Sequence, residues 1–100
     1  MNIQKLMAEA QKIQKSMQKK LGEYDLQEFD FDYKGLVQIK IKGDLEITNV
    51  VINKDVVDPD DIDTLQDVVQ TAINQAIREV TSGKNELSKK IAGPATAGMF

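Results

Sequence analysis

The chain has 100 residues with 13 basic and 16 acidic side chains, no histidine and no cysteine, and its formal net charge is −3. That length suits one domain with a modest core, which a partner subunit would help to stabilise. Without Cys there is no disulfide framework or thiol chemistry, and without His the commonest general base is missing, so catalysis is disfavoured from the outset.

Charge is distributed unevenly. Residues 1–22 carry five Lys and one Glu, a net of +4; residues 23–79 carry five basic and fourteen acidic residues, a net of −9; residues 80–100 carry three Lys and one Glu, a net of +2. Basic ends around an acidic middle make a polarised chain, and local potential steers a partner more than net charge does. The N-terminal lysines are not followed by an apolar run of signal-peptide length, and no segment approaches the ~20 apolar residues of a membrane span.

The first predicted element is a helix from Ile3 to Leu21. At about 100° per residue, Ile3, Leu6, Met7, Ala10, Ile13, Met17 and Leu21 fall within roughly 120° of arc. Lys5, Lys12, Lys15 and Lys19 fall within roughly 80° on the opposite side. Asn2 suits the N-cap and Gly22 the C′ position, which would put Lys19 and Lys20 in the last turn as dipole-compensating cations. Such a helix runs about 28 Å, close to the ~34 Å of one B-DNA turn.

Three strands follow. Tyr24 and Leu26 alternate in one phase and Phe29, Phe31 and Tyr33 in the other, so the slip at Gln27–Glu28 predicts a bulge or a strand that starts near Leu26. Lys34–Gly35 marks a turn. Val37, Ile39 and Ile41 alternate with Gln38, Lys40 and Lys42. Gly43–Asp44 reads as a two-residue type II′ hairpin turn. Leu45 to Ile52 is the third strand, with Val50 and Ile52 facing the core. Short turns make these an antiparallel meander.

Asp58–Pro59 reads as N-cap and N1 of a second helix, with Asp60, Asp61 and Asp63 in its first turn. Ile62, Leu65, Val68, Val69, Ala72, Ile73, Ala76, Ile77 and Val80 form the clearest helical stripe in the chain, suited to cover one sheet face. Ser82–Gly83 is a candidate interruption. Leu87 and Ile91 extend the stripe, and Gly93–Pro94 is expected to end the helix. The fold class is thus α+β in the order α-β-β-β-α, with one domain over residues 1–92 and a flexible C-terminal tail over 93–100.

The lysine stripe is the main candidate for function. A solvated helix face normally mixes signs to gain i,i+4 pairs, whereas this one holds four cations and a single acid, Glu9. Phosphate backbones accept such a stripe without reading sequence. An anionic membrane competes, but the apolar side lacks the aromatic residues that suit a lipid surface. The acidic residues Asp55, Asp58, Asp60, Asp61 and Asp63 fail the EF-hand pattern, since Asp63 stands where Gly is needed and Val69 where the bidentate Glu belongs. They fit a helix N-terminus instead. The strand carboxylates Glu23, Asp25, Glu28, Asp30 and Asp32 suit a solvated sheet face or edge, or a mimic of DNA phosphates. Neither a nucleotide-binding glycine loop nor a GxSxG elbow is present.

Three stretches resemble the YbaB/EbfC-type nucleoid-associated proteins, small bacterial DNA-binding dimers. Leu6-Met7-Ala8-Glu9-Ala10-Gln11-Lys12-Ile13-Gln14 through Met17-Gln18 resembles the family's opening helix. Gly35-Leu36-Val37-Gln38-Ile39-Lys40-Ile41-Lys42-Gly43 resembles its hairpin strand. Leu65-Gln66-Asp67-Val68-Val69 with Ala72-Ile73-Asn74-Gln75-Ala76 resembles its long helix, and Gly98-Met99 its tail. The resemblance implies a tweezer-like homodimer in the cytoplasm that grips duplex DNA in the nucleoid and influences gene expression. It implies neither an enzyme nor a cofactor, and neither a small-molecule substrate nor a membrane as partner. Carried over by position, the DNA-binding residues are Lys5, Lys12, Lys15, Lys19, Lys20, Lys84, Lys89 and Lys90. The chain departs from the family pattern in lacking its Gly-rich start and proline-rich end, and Lys42 stands where Asn usually precedes the turn Gly. A divergent paralogue acting as a protein-interaction adaptor is the alternative.

Overall fold

The structure, a computed structural model, describes residues 2–97. Its elements are α1 (Ile3–Leu26), β1 (Glu28–Tyr33), β2 (Val37–Lys42), β3 (Ile47–Ile52), a 3-10 turn (Lys54–Val56) and α2 (Ile62–Ala97). The order is α-β-β-β-α, as the sequence predicts. The three strands form one antiparallel sheet with β2 in the centre.

The alternation of β2 decides the core. Val37, Ile39 and Ile41 are buried against Ala72, Ala76 and Val80 of α2. The two alanines bring the α2 backbone close to the central strand, so three β-branched side chains fill the layer between sheet and helix. Phe29, Phe31 and Tyr33 flank them from β1. The first hairpin turns through Lys34 and Gly35, both at positive φ (53° and 71°), the right-twisted conformation that antiparallel strands favour.

Four local expectations are corrected. First, α1 does not stop at Gly22: it runs to Leu26 and is capped at Gln27, so Tyr24 and Leu26 are helical and no bulge joins them to β1. Lys19 and Lys20 therefore lie inside the helix and not in its last turn. The helix passes through Gly22 because Tyr24 is held by contacts distant in sequence. Second, Gly43 is not at positive φ; Leu45 is, at 74°. The turn closes by Leu45 N–H to Lys42 O at 2.8 Å, and β3 starts only at Ile47. Third, α2 starts after Asp61, whose carboxylate accepts from the Thr64 N–H at 3.3 Å and the Thr64 hydroxyl at 2.6 Å. Asp58 instead closes the preceding turn by accepting from Asp60 N–H at 2.9 Å. Fourth, α2 is unbroken at Ser82–Gly83 and continues past Gly93–Pro94 to Ala97; the last part of the expected tail, residues 98–100, lies outside the described residues.

Val50 and Ile52 are also not buried. Their register partners are Ile39 and Val37, so they lie on the same sheet face as the core, as expected. Yet they are 40% and 39% exposed, and Ile47 is 37% exposed. The core forms over β2 and β1, where α2 lies, and the helix-side face of β3 is left uncovered.

Candidate nucleic-acid interface

The direction of α1 is set at its C-terminal end. The Tyr24 hydroxyl donates to the Val80 carbonyl at 2.7 Å, and the Tyr24 ring lies against Phe29 with centroids 4.9 Å apart. A Cβ on Gly43 would overlap the Tyr24 carbonyl, and one on Gly83 would stand 2.5 Å from the Tyr24 hydroxyl oxygen. Gly43 and Gly83 are therefore glycines for space, because the tyrosine and its backbone occupy the volume a side chain would need. Next to it, the Lys84 ammonium meets the Asp25 carboxylate at 2.7 Å. Gly43 N–H also donates to Gln27 O at 3.0 Å, which ties the helix end to the second hairpin.

Beyond this clamp α1 leaves the domain. Ser16, Met17 and Leu21 are half-buried, as are Leu87, Ser88 and Ile91 on α2, where the two helices pack. From Asn2 to Lys15 every residue is exposed. The molecule is accordingly elongated, 71 × 24 × 15 Å. Asn2 caps the free end, its side chain accepting from Gln4 N–H at 3.1 Å and Lys5 N–H at 3.4 Å.

All five lysines of α1, Lys5, Lys12, Lys15, Lys19 and Lys20, are exposed. Among the described residues, none has a carboxylate within 4.0 Å. Lys89 and Lys90 are exposed on α2. Lys84 differs from the others: it is half-buried and faces Asp25. The signal that sets it apart lies in the fold, since Asp25 and Lys84 are 59 positions apart.

The acidic middle of the chain lies elsewhere. Glu28 and Asp30 on β1 sit opposite Lys42 and Lys40 on β2, across the sheet face that α2 does not cover. Lys42 also approaches Glu46 at 3.5 Å and Asp44 at 3.9 Å. The cross-strand placement offsets part of that negative charge locally. Among the described residues no group of three or more Asp or Glu side chains is arranged to hold a metal ion, and no described helix is long and apolar enough to cross a membrane.

The sequence as a whole is similar to proteins of known family. It is 43% identical over 100 residues to a nucleoid-associated protein of Ureaplasma parvum serovar 3, with 100% of both chains covered. It is 39% identical over 89 residues to one from Malacoplasma penetrans, covering 89% of this chain and 95% of that one. A nucleoid-associated protein of Clostridium novyi is 43% identical over 102 residues, covering 100% of this chain and 90% of its own. Residues 1–95 match the family model described as the YbaB/EbfC DNA-binding family, and the chain belongs to that family.

Proposed function

We propose that this chain is a homodimeric nucleoid-associated protein of the cytoplasm that binds duplex DNA through the phosphate contacts of α1, organising the nucleoid and influencing gene expression. Lys5, Lys12, Lys15 and Lys19 form the contact stripe, and Lys20, Lys89 and Lys90, exposed outside its arc, add to the positive surface. Lys84 sits at the base of the helix and reaches a phosphate only if it leaves Asp25. The observation that carries this reading is the set of exposed α1 lysines with no carboxylate within 4.0 Å among the described residues. The α1 lysines extend about 22 Å along the helix axis, roughly two-thirds of one duplex turn. Contacts of this kind position a protein on DNA without reading bases. Residues 1–92 are the binding domain in this reading, and 93–100 a tail.

The dimer is supported by the bare strip on β3. Ile47, Val50 and Ile52 continue the core face beyond the helix that covers it, and a second copy would complete the layer.

A mobility-shift titration on unrelated duplexes at two salt concentrations tests the reading. Similar affinity for each sequence, with log K falling by about 0.9 per neutralised phosphate against log salt, is the expected result. Equal retention at both salt concentrations would reject it.

A further inference from the structure

Among the described residues, nothing covers the apolar side of α1 over its first half. Ile3, Leu6, Met7 and Ile13 are 69%, 50%, 57% and 41% exposed, and Ala10 between them is exposed too. α2 does not reach the start of this face. Ile62 to Lys84 spans about 33 Å of helix, and Asp25 back to Ile3 spans about another 33 Å. With α1 leading away from the sheet, antiparallel to the second half of α2, these lengths sum to about 66 Å, close to the long axis of 71 Å. From Lys84 to Ala97, α2 runs a further ~20 Å, which ends opposite about residue 12 of α1. Roughly the first nine residues of α1 project past that point.

α1, including the projecting stretch, is built on a heptad. Ile3, Leu6, Ala10, Ile13 and Met17 stand at successive a and d positions. Met7 and Gln14 stand at e, Glu9 and Ser16 at g. Lys5, Lys12 and Lys19 all stand at c and Lys15 at f, the positions farthest from the seam. A second helix can therefore seat on the seam without burying an ammonium group. The absence of aromatic residues from the seam favours a helix over a lipid surface as the occupant.

We propose that the occupant is α1 of a second copy of this chain, so that copies join seam to seam through Ile3, Leu6, Ala10 and Ile13. Such a surface is self-complementary, as a two-fold contact requires. An antiparallel pairing sets the small Ala10 against the Leu6 of the other copy. About one and a half heptads are marginal alone, so the contact joins copies already concentrated, as on DNA. Both lysine stripes stay outward on opposite sides of the pair, which lets one contact hold two duplexes.

The chain has no cysteine, so a single introduced thiol reports the contact cleanly. Full-length Ala10→Cys and Lys12→Cys proteins are treated with a short bis-maleimide at high protein concentration, without DNA. Position 10 lies on the seam and position 12 on the opposite side. The proposal expects inter-chain product from Ala10→Cys at least tenfold above Lys12→Cys, and its loss when Leu6→Ser and Ile13→Ser are added. Circular dichroism of the triple variant establishes that α1 is still helical. Equal product from both positions, or product unchanged by the two serines, overturns the proposal. So does flotation of the unmodified protein with phosphatidylglycerol vesicles that the two serines abolish, if Ala10→Cys gives no inter-chain product. The crosslinking needs no DNA, so a failure of DNA binding leaves its outcome separate, and repeating it with Val50→Lys separates the seam from the β3 contact.

Discussion

The Tyr24 hydroxyl donates to the Val80 carbonyl at 2.7 Å across 56 positions of sequence. That one bond links the last turn of α1 to the middle of α2, at the point where the rod that carries the lysines leaves the domain. The Asp25–Lys84 pair beside it is 37% exposed on each side, so it adds only a few tenths of a kcal/mol to about 1 kcal/mol after solvent screening. Geometry at this joint comes mainly from shape: a tyrosine seated between two glycines.

Substitutions at the joint should separate the hydrogen bond from the space. Tyr24→Phe keeps the ring against Phe29 and leaves the Val80 carbonyl its helical partner, so a loss of about 1 kcal/mol is expected in urea unfolding. Gly43→Ala should cost more, about 2–4 kcal/mol, because backbone atoms of Tyr24 must move. Gly83→Ala meets only the hydroxyl end of the tyrosine, and Tyr24→Phe in the same chain should recover part of its loss. Additive losses in that double variant would show that Gly83 has another role.

Alkaline pH should loosen the same joint. Burial raises the Tyr24 phenol above its ordinary value of 10.0, with Lys84 opposing and Glu86 reinforcing the shift. A folded-state value above the unfolded one means that the stabilisation is complete below pH 10 and is lost as pH rises through the folded value. The phenolate also has no proton to give the Val80 carbonyl. The stability difference between wild type and Tyr24→Phe should thus be flat from pH 7 to about 9 and shrink above 10. A difference that grows above pH 10 would contradict the assignment.

The parts of the fold that were legible in the sequence are those where one face is buried along a whole element. Val37, Ile39 and Ile41 announce β2, and the stripe from Ile62 to Val80 announces α2, because burial on one side imposes a period. The joint was not legible. Gly22 looks like a helix stop, but nothing local shows that Tyr24 is anchored to Val80 and keeps the helix going. Gly43 resembles a turn glycine, while its actual constraint is the Tyr24 carbonyl. Val50 and Ile52 show the correct phase on β3, but phase does not say whether a helix reaches that far. At the candidate interface, the α1 lysines were legible as a one-sided stripe; the pairing of Lys84 with Asp25 was not, since no periodicity relates two residues 59 positions apart.

Leu45 offers a direct test of the second hairpin. It holds φ of 74° with its side chain 42% exposed, so it bears left-handed strain with little packing to offset it. Leu45→Asn should raise stability by about 0.5–1 kcal/mol, since Asn tolerates that region better. Thermal unfolding would read this as a rise in Tm, and a fall would mean that the leucine side chain is used in packing.

The lysines should divide into two groups when replaced by Gln one at a time. Lys12→Gln should reduce the salt slope of DNA binding by about 0.9 and leave stability within about 0.5 kcal/mol of wild type. Lys84→Gln should do the reverse, lowering stability slightly while the slope stays put, because its ammonium is occupied by Asp25. Replacing Lys5, Lys12, Lys15 and Lys19 together should abolish retention on duplex DNA at moderate salt with the oligomeric state intact. Retention that survives this change would move the function to another surface, as an adaptor role requires.

The β3 strip makes the final prediction. Ile47, Val50 and Ile52 are each 37–40% exposed on a face that is buried along β2 and half-buried along β1. A monomer gains nothing from three aliphatic side chains held there in water, whereas a second copy burying them gains about 25 cal/mol for each Å² covered. An introduced charge at the centre of such a contact must be desolvated without a counter-ion, which is strongly unfavourable. Val50→Lys should therefore shift sedimentation from a dimer to the 11.2 kDa chain, while circular dichroism stays close to wild type because position 50 is solvated in the single chain. DNA affinity should fall with it, and the salt slope should drop by about half, since each rod then contributes its phosphates alone. A dimer that withstands Val50→Lys would place the subunit contact elsewhere on the molecule.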